Sequence, residues 1–219
     1  MIQHLRNWFM EGSVAVCGSG PSAWELDPGD WDAVIALNKA IELPQLEVLK
    51  RKPRLGCSWP LYWMMFDGGI VQRREPWLIS NLRTIPLVLV IGFEFHRELA
   101  RASLAPVSPD WLIEFDYQAK SGPEQNPARM VPVFDRGMTE LTNNGNVAIC
   151  GVETAIIMGA ARIGLYGIDL AQRKHFDGVR GEGAYHPGVA EYMNGLLRLC
   201  VENGMEVKVC GSPECQIEV

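Results

Sequence analysis

Three observations predict a three-layer α/β fold with a mainly parallel sheet. Short apolar runs recur along the chain, most of them stop at glycine, asparagine or aspartate, and helix-compatible stretches lie between them. A strand covered on both faces reads as an unbroken run of Val, Ile, Leu and Ala, whereas a strand with one wet face alternates with polar residues. The runs here are of the first kind.

Ser13-Val14-Ala15-Val16-Cys17 is the first such run, and it stops at Gly18. Gly18-Ser19-Gly20-Pro21-Ser22 then breaks it, and Pro21 fits the first position of a helix, where its missing N–H costs nothing. Ala33-Val34-Ile35-Ala36-Leu37 is the second run and ends at Asn38. Helix-compatible spacing follows from Lys39 to Arg51. Tyr62 to Phe66 ends at Asp67-Gly68-Gly69, and Ile85 to Ile91 makes a fourth run.

From about Arg97 to Arg136, Pro106, Pro109, Gly122, Pro123, Pro127 and Pro132 interrupt the pattern, so an irregular segment, about 97–143, reads as connecting or peripheral structure. Val147, Cys150, Val152, Ala155, Ile156 and Met158 then make a largely apolar helix within Asn146 to Gly159, opened by Asn143-Asn144-Gly145. Ile163 to Tyr166 follows as a strand ending in Gly167-Ile168-Asp169. The polar, glycine-containing segment 172–185 reads as a lid loop. His186 and Pro187 lead into a helix to about Glu202, and Met205 to Val209 is the last strand. In an open parallel sheet the polar strand ends line the crevice where ligands bind.

At 219 residues the chain suits a single α/β domain, and 47% apolar with 21% charged residues excludes collagen-like, low-complexity and wholly disordered classes. The longest apolar run, Ile85 to Phe93, is far short of the roughly 20 residues that a membrane helix needs. No basic region followed by an apolar stretch opens the sequence, and the six cysteines form no CxxC pair, so reduced core thiols and a cytoplasmic location are expected. The formal net charge of −6 argues against general nucleic-acid affinity. Charge is unevenly spread: nine basic and four acidic residues between Lys50 and Arg101 give that stretch +5 and the remainder −11. Solvated helix faces account for such a stretch, and so would a face that meets an anionic ligand.

Gly18-x-Gly20-x-x-Ala23 fits the loose dinucleotide fingerprint of a Rossmann-like fold, whose glycines let the backbone approach a pyrophosphate at a helix N-terminus. A tight turn alone would also explain the two glycines. The nicotinamide version needs an acidic residue at the end of the second strand; Asn38 stands there, which disfavours a nicotinamide dehydrogenase. The sequence contains neither a Walker lysine motif nor a GxSxG elbow, which argues against a P-loop kinase and a serine hydrolase. Asp30-Trp31-Asp32 has the spacing of a metal-binding DxD but precedes a strand, as a solvated turn does. No metal site is expected from the residues alone.

Taken together, Val16 to Ser22, Ala36-Leu37-Asn38, and Asn146 to Ala160 followed by Ile163 to Ala171 resemble a group that unites bacterial sialyltransferase-like enzymes with the 6-hydroxymethylpterin diphosphokinase-like family. Tyr62 to Asp67 is similar to the intervening strand that ends in an aspartate. The resemblance implies that Gly18, Ser19, Gly20, Pro21, Ser22 and Asn38 hold a cytidine nucleotide and that His186, after a lid, takes the acceptor hydroxyl proton, with His175 as a second candidate. It implies a diphosphate-facing helix start at Asn144, Gly145 and Asn146, where the diphosphokinases' usual small glycine–serine start is replaced. Asp67 and Asp169 could bind ribose hydroxyls or a magnesium ion. The implied donor is a small-molecule nucleotide sugar of the CMP type, and the implied acceptor bears a hydroxyl. Pyrophosphate transfer from ATP to a 6-hydroxymethylpterin is the alternative, the one case that calls for Mg2+, and a non-catalytic nucleotide-binding protein is a third class.

Overall fold

Seven strands, β1 (Ser13–Cys17), β2 (Ala33–Leu37), β3 (Leu61–Met65), β4 (Leu87–Val90), β5 (Leu112–Phe115), β6 (Arg162–Tyr166) and β7 (Glu206–Val209), form one sheet in the order β5-β4-β3-β2-β1-β6-β7. Every neighbouring pair is parallel. Among the described residues the α-helices are α1 (Glu47–Lys50), α2 (Val147–Ile157) and α3 (Pro187–Glu202). The computed structural model describes residues 5–7, 10–50, 60–65, 87–90, 112–115, 131–138, 141, 146–168 and 187–211. This is the expected α/β Rossmann-like architecture.

Side chains along a strand alternate between faces, and the buried residues sort accordingly into two cores. Val14, Val16, Ile35, Leu37, Tyr62, Met64, Ile163 and Leu165 face α2 and α3. Ala15, Cys17, Val34, Ala36, Leu61, Trp63 and Tyr166 face the other way, towards Leu26, Ile41, Leu43 and Leu46. Three layers result.

Helix α2 is buried along almost its whole length, so it is apolar all round, as a helix without a wet face must be. Asn146 opens it: its Oδ1 accepts from the Ala148 N–H at 2.8 Å and satisfies one of the helix's unpaired donors. The exceptions to its apolar character are Thr154, whose hydroxyl donates to the Cys150 carbonyl at 2.7 Å, and Glu153, fully buried, which accepts a 3.4 Å hydrogen bond from the Tyr192 hydroxyl of α3. Helix α3 is amphipathic, with Tyr192, Met193, Leu196, Leu197 and Cys200 inside and Glu191, Arg198 and Glu202 outside.

Three expectations need correction. Pro21 does not start an α-helix; Pro21–Glu25 is a 3-10 helix. Asp27 precedes Pro28 and is held in extended backbone, φ −96° and ψ 109°, because the proline ring disfavours the helical region for its predecessor. The stretch from Lys39 to Arg51 is divided in the same way: Leu43, before Pro44, is extended, leaving 3-10 turns at Asn38–Glu42 and Pro44–Leu46 and only the single turn α1. Finally, the segment 97–143 contributes β5 at one edge of the sheet and a core residue, Leu141. Four strand-forming residues and one leucine are a weak signal among so many prolines.

Cys17 and Cys200 are free and buried, Cys150 is buried, and Cys210 is free and half-buried. Burial pushes the Cys17 and Cys150 thiols well up, Glu153 adding to the effect at Cys150, and pushes Cys200 to about 12. Since the thiolate is the nucleophile, these three should resist a thiol-specific alkylating reagent at neutral pH and react only in denaturant. Peptide mapping by mass spectrometry checks this, and modification of Cys17 in the folded protein would contradict the burial.

Candidate functional site

Strand order runs outward from β1 in one direction and from β6 in the other, so the sheet reverses between these neighbours. In open α/β sheets, ligands bind outside the carboxyl ends of the strands at such a reversal. The glycine loop stands at this point.

Its first role is within the fold. The Gly18 N–H donates to the Tyr166 carbonyl at 2.7 Å, and the Gly20 N–H donates to the Gly167 carbonyl at 2.8 Å. In return the Gly167 N–H donates to Ser22 Oγ at 2.9 Å. The backbones approach so closely that a Cβ on Gly18 would lie 2.4 Å from the Gly167 carbonyl oxygen. Gly167 has φ +63°, and a Cβ there would lie 2.4 Å from the Gly18 oxygen and 2.7 Å from the Ala23 methyl. Gly18 and Gly167 are therefore required by contact between the loops. Gly20, by contrast, has φ −71° and ψ 169°, ordinary extended backbone. The N–H groups of Gly18 and Gly20 are thus engaged within the protein.

Asn38 leaves β2, the strand next to β1, with φ 48°, in the left-handed region. For a residue other than glycine that conformation costs about 1–2 kcal/mol, though asparagine bears it better than most. Its carbonyl accepts from Trp63 Nε1 at 2.7 Å, which pins the backbone. Its side-chain Oδ1 is buried and has no hydrogen-bond partner among the described residues. An orphaned buried acceptor costs about 1–3 kcal/mol, so this residue carries two penalties at once. Such a combination concentrates at ligand sites.

Helix α2 points its N-terminus at the same side of the sheet. A Cβ on Gly151 would meet Val16 and Leu37, near the carboxyl ends of β1 and β2. At the other end of the helix, the Ile157 carbonyl accepts from the Asn7 N–H, before β1 begins. The helix thus runs antiparallel to the strands, and Asn146 lies towards their carboxyl ends. Helix α3 has the same sense, because Glu202 closes it and the chain turns at once into the start of β7.

The structure therefore gathers Gly18, Ser19, Gly20, Pro21 and Ser22 in one loop and brings Asn38 and Asn146 to the same side of the sheet. The side chain of Asn146 serves as the cap of α2. Asp67, Asn144, Gly145, Asp169, His175, His186 and the lid segment 172–185 lie outside the described residues. So does most of the basic stretch, of which Lys50 pairs with Glu47 on α1. Asp32 lies at the opposite end of the strands: its Oδ2 accepts from Ser13 N–H and Oγ, each at 2.8 Å. It anchors the start of β1, which agrees with a turn. Trp31 is buried beneath the Arg162 guanidinium, 4.2 Å from its ring centroid.

Gly167 is read from the sequence only as the glycine at a strand end, and Glu153 is not singled out by pattern. The Gly167 position offered a signal in its place after an apolar strand, and Glu153 offered one as the only carboxylate in an apolar helix. Among the described residues, no three His, Cys, Asp or Glu side chains group together as metal ligands, and no helix is long and apolar enough to cross a membrane. Comparison of the chain with protein-family models finds no match, and comparison with curated proteins finds none either.

Gly18→Ala should lower stability by about 1–3 kcal/mol, the usual cost of forcing a methyl into filled space. Gly20→Ala, free of any left-handed requirement, should cost less than half as much. Urea unfolding followed by circular dichroism measures both, and equal losses would mean that the two glycines share one structural role.

Proposed function

We propose that this chain is a transferase that binds a nucleotide-activated donor, best matched by a nucleotide sugar of the sialyltransferase-like type, and passes the activated group to an acceptor hydroxyl. The observation that carries this reading is Asn38 Oδ1, a buried acceptor without a donor among the described residues, at the carboxyl end of a strand beside the sheet reversal. A ribose hydroxyl or the exocyclic amine of a base supplies the missing donor. The interlocked loop of residues 18–22 supports this by holding the neighbouring strand end rigid, so that little ordering remains to be done on binding.

In the proposed reaction the acceptor oxygen forms a bond to the anomeric carbon of the donor as the bond from that carbon to the phosphate oxygen breaks. The nucleotide leaves with the electron pair, and the acceptor proton passes to a base. The family resemblance assigns that base to His186, imidazole being the side chain suited to general-base work near neutrality. His186 immediately precedes α3 in the chain.

Thermal unfolding against a panel of nucleotides and nucleotide sugars tests the donor reading. A donor present at 100 times its Kd should stabilise the protein by about 2.7 kcal/mol. If cytidine nucleotides give no stabilisation and ATP does so only with magnesium, the diphosphokinase alternative replaces it; if nothing stabilises, nucleotide binding itself fails. Asn38→Gly should separate binding from folding: it relieves the left-handed backbone and deletes the orphaned acceptor, so the unliganded protein should lose no stability while the nucleotide-induced shift disappears. His186→Ala should lower turnover roughly 100-fold or more with donor affinity little changed. Full turnover in that variant moves the role to His175.

A further inference from the structure

Strand β7 closes one side of the sheet, and among the described residues no strand pairs with its outer edge. The N–H groups of Glu206 and Cys210 donate inward, to the carbonyls of Ala161 and Leu165, each at 2.9 Å. Backbone groups alternate in direction along a parallel strand, so the N–H and C=O groups of Val207 and Val209 face outward. Glu206 and Lys208 are exposed and share one face of the strand, while Val207 and Val209 are half-buried and pack on the α2/α3 core.

We propose that this edge is an interface between two copies of the chain, which pair their β7 strands antiparallel about a two-fold axis through Val207 and so continue the sheet from one molecule into the next. The register follows from the backbone. Only odd-numbered residues present outward groups, so Val207 pairs with its counterpart in the copy, each giving and accepting a bond. Glu206 then faces Lys208 of the copy, and Lys208 faces Glu206, on the same side of the joint sheet. These are directly opposed cross-strand pairs at non-hydrogen-bonded positions, where side chains come closest.

A slip by two residues in one direction sets Glu206 against Glu206, and in the other sets Lys208 against Lys208. A slip by one turns the wrong backbone groups outward. The four-residue strand is therefore self-complementary in one register, as an isologous contact must be. Charge on an edge strand ordinarily keeps other edges away. Here the two signs are spaced so that the rejection applies to both two-residue slips and spares the register centred on Val207.

Two further features fit. The ammonium of Lys208 sits 5.7 Å from the centre of the Tyr166 ring, and its interaction with the phenol holds its pKa up, so the charge is present and the side chain is steadied on the Glu206 face. Val201 on α3 is 47% exposed. It lies nine residues after Tyr192, half a turn away around the helix from the side that meets Glu153 of α2. That places this exposed apolar side chain on the flank of α3 away from α2, above the open edge, where a second copy would cover it.

Sedimentation velocity on the full chain, with Glu206→Lys, Lys208→Glu and the double exchange, tests the proposal. The unsubstituted protein should sediment as a dimer at micromolar concentration. Either single reversal places like charges opposite each other and should weaken the dimer roughly tenfold or more, whereas the double exchange restores opposite charges and should recover it. Circular dichroism should be unchanged in Glu206→Lys, whose side chain is exposed; this variant decides the matter if Lys208→Glu disturbs Tyr166. A monomeric unsubstituted protein, or a dimer that Glu206→Lys leaves intact, overturns the assignment.

Discussion

From Val14 to Cys17, β1 has no exposed surface at all: β2 and β6 occupy its two edges, α2 covers one face and the 3-10 layer the other. A strand so enclosed admits only side chains that fit both cores at once, and it takes valine towards the helices and alanine or cysteine towards the other layer. The glycine loop inherits this constraint. Because β1 cannot shift without disturbing both cores, the backbone emerging at Gly18 is delivered to one place, close enough to Gly167 that neither residue can carry a side chain.

The two outer layers solve the same covering problem differently. On one side, α2 and α3 present long apolar stripes and donate their own backbone hydrogen bonds internally. On the other, Pro21, Pro28 and Pro44 divide the chain into short 3-10 turns, and Leu26, Ile41, Leu43 and Leu46 are set into the core from between them. Short turns bury less backbone than helices and leave more of the layer's geometry to tertiary contacts. Gln45 shows this: its side-chain amide donates to the Ala23 carbonyl at 3.0 Å, linking one turn to another.

How far the sequence foretold this depends on the range of the interaction involved. Strands β1 and β2 were legible to the residue, since an unbroken apolar run with a glycine or asparagine at its end has few other uses. The proline-truncated helices were legible in principle from Asp27-Pro28 and Leu43-Pro44, but apolar spacing outweighed a one-residue rule. β5 was hidden because Glu114 interrupts a run of only four residues. At the site, Asn38 was found by chemical type and position. Its left-handed backbone and unpaired oxygen depend on Trp63 and the surrounding fold, which spacing alone does not reveal. The pairing of Gly18 with Gly167 joins residues far apart in the chain, and no local pattern encodes it.

The bonds of Asp32 to Ser13 give the first crossover an unusual boundary. At the amino end of the sheet, Asp32 holds the segment's last residues to the first residue of β1; at the carboxyl end, Gly18, Gly20 and Ser22 hold its opening residues to the turn after β6. The segment between is therefore a strap fastened at one end to the start of β1 and at the other to the turn after β6. Neither end can leave the sheet without breaking these bonds, so the strap is held more firmly than a surface loop tied only through its chain ends. A ligand seated at this sheet reversal would meet, on the side of β1, a wall already held in place by such a strap.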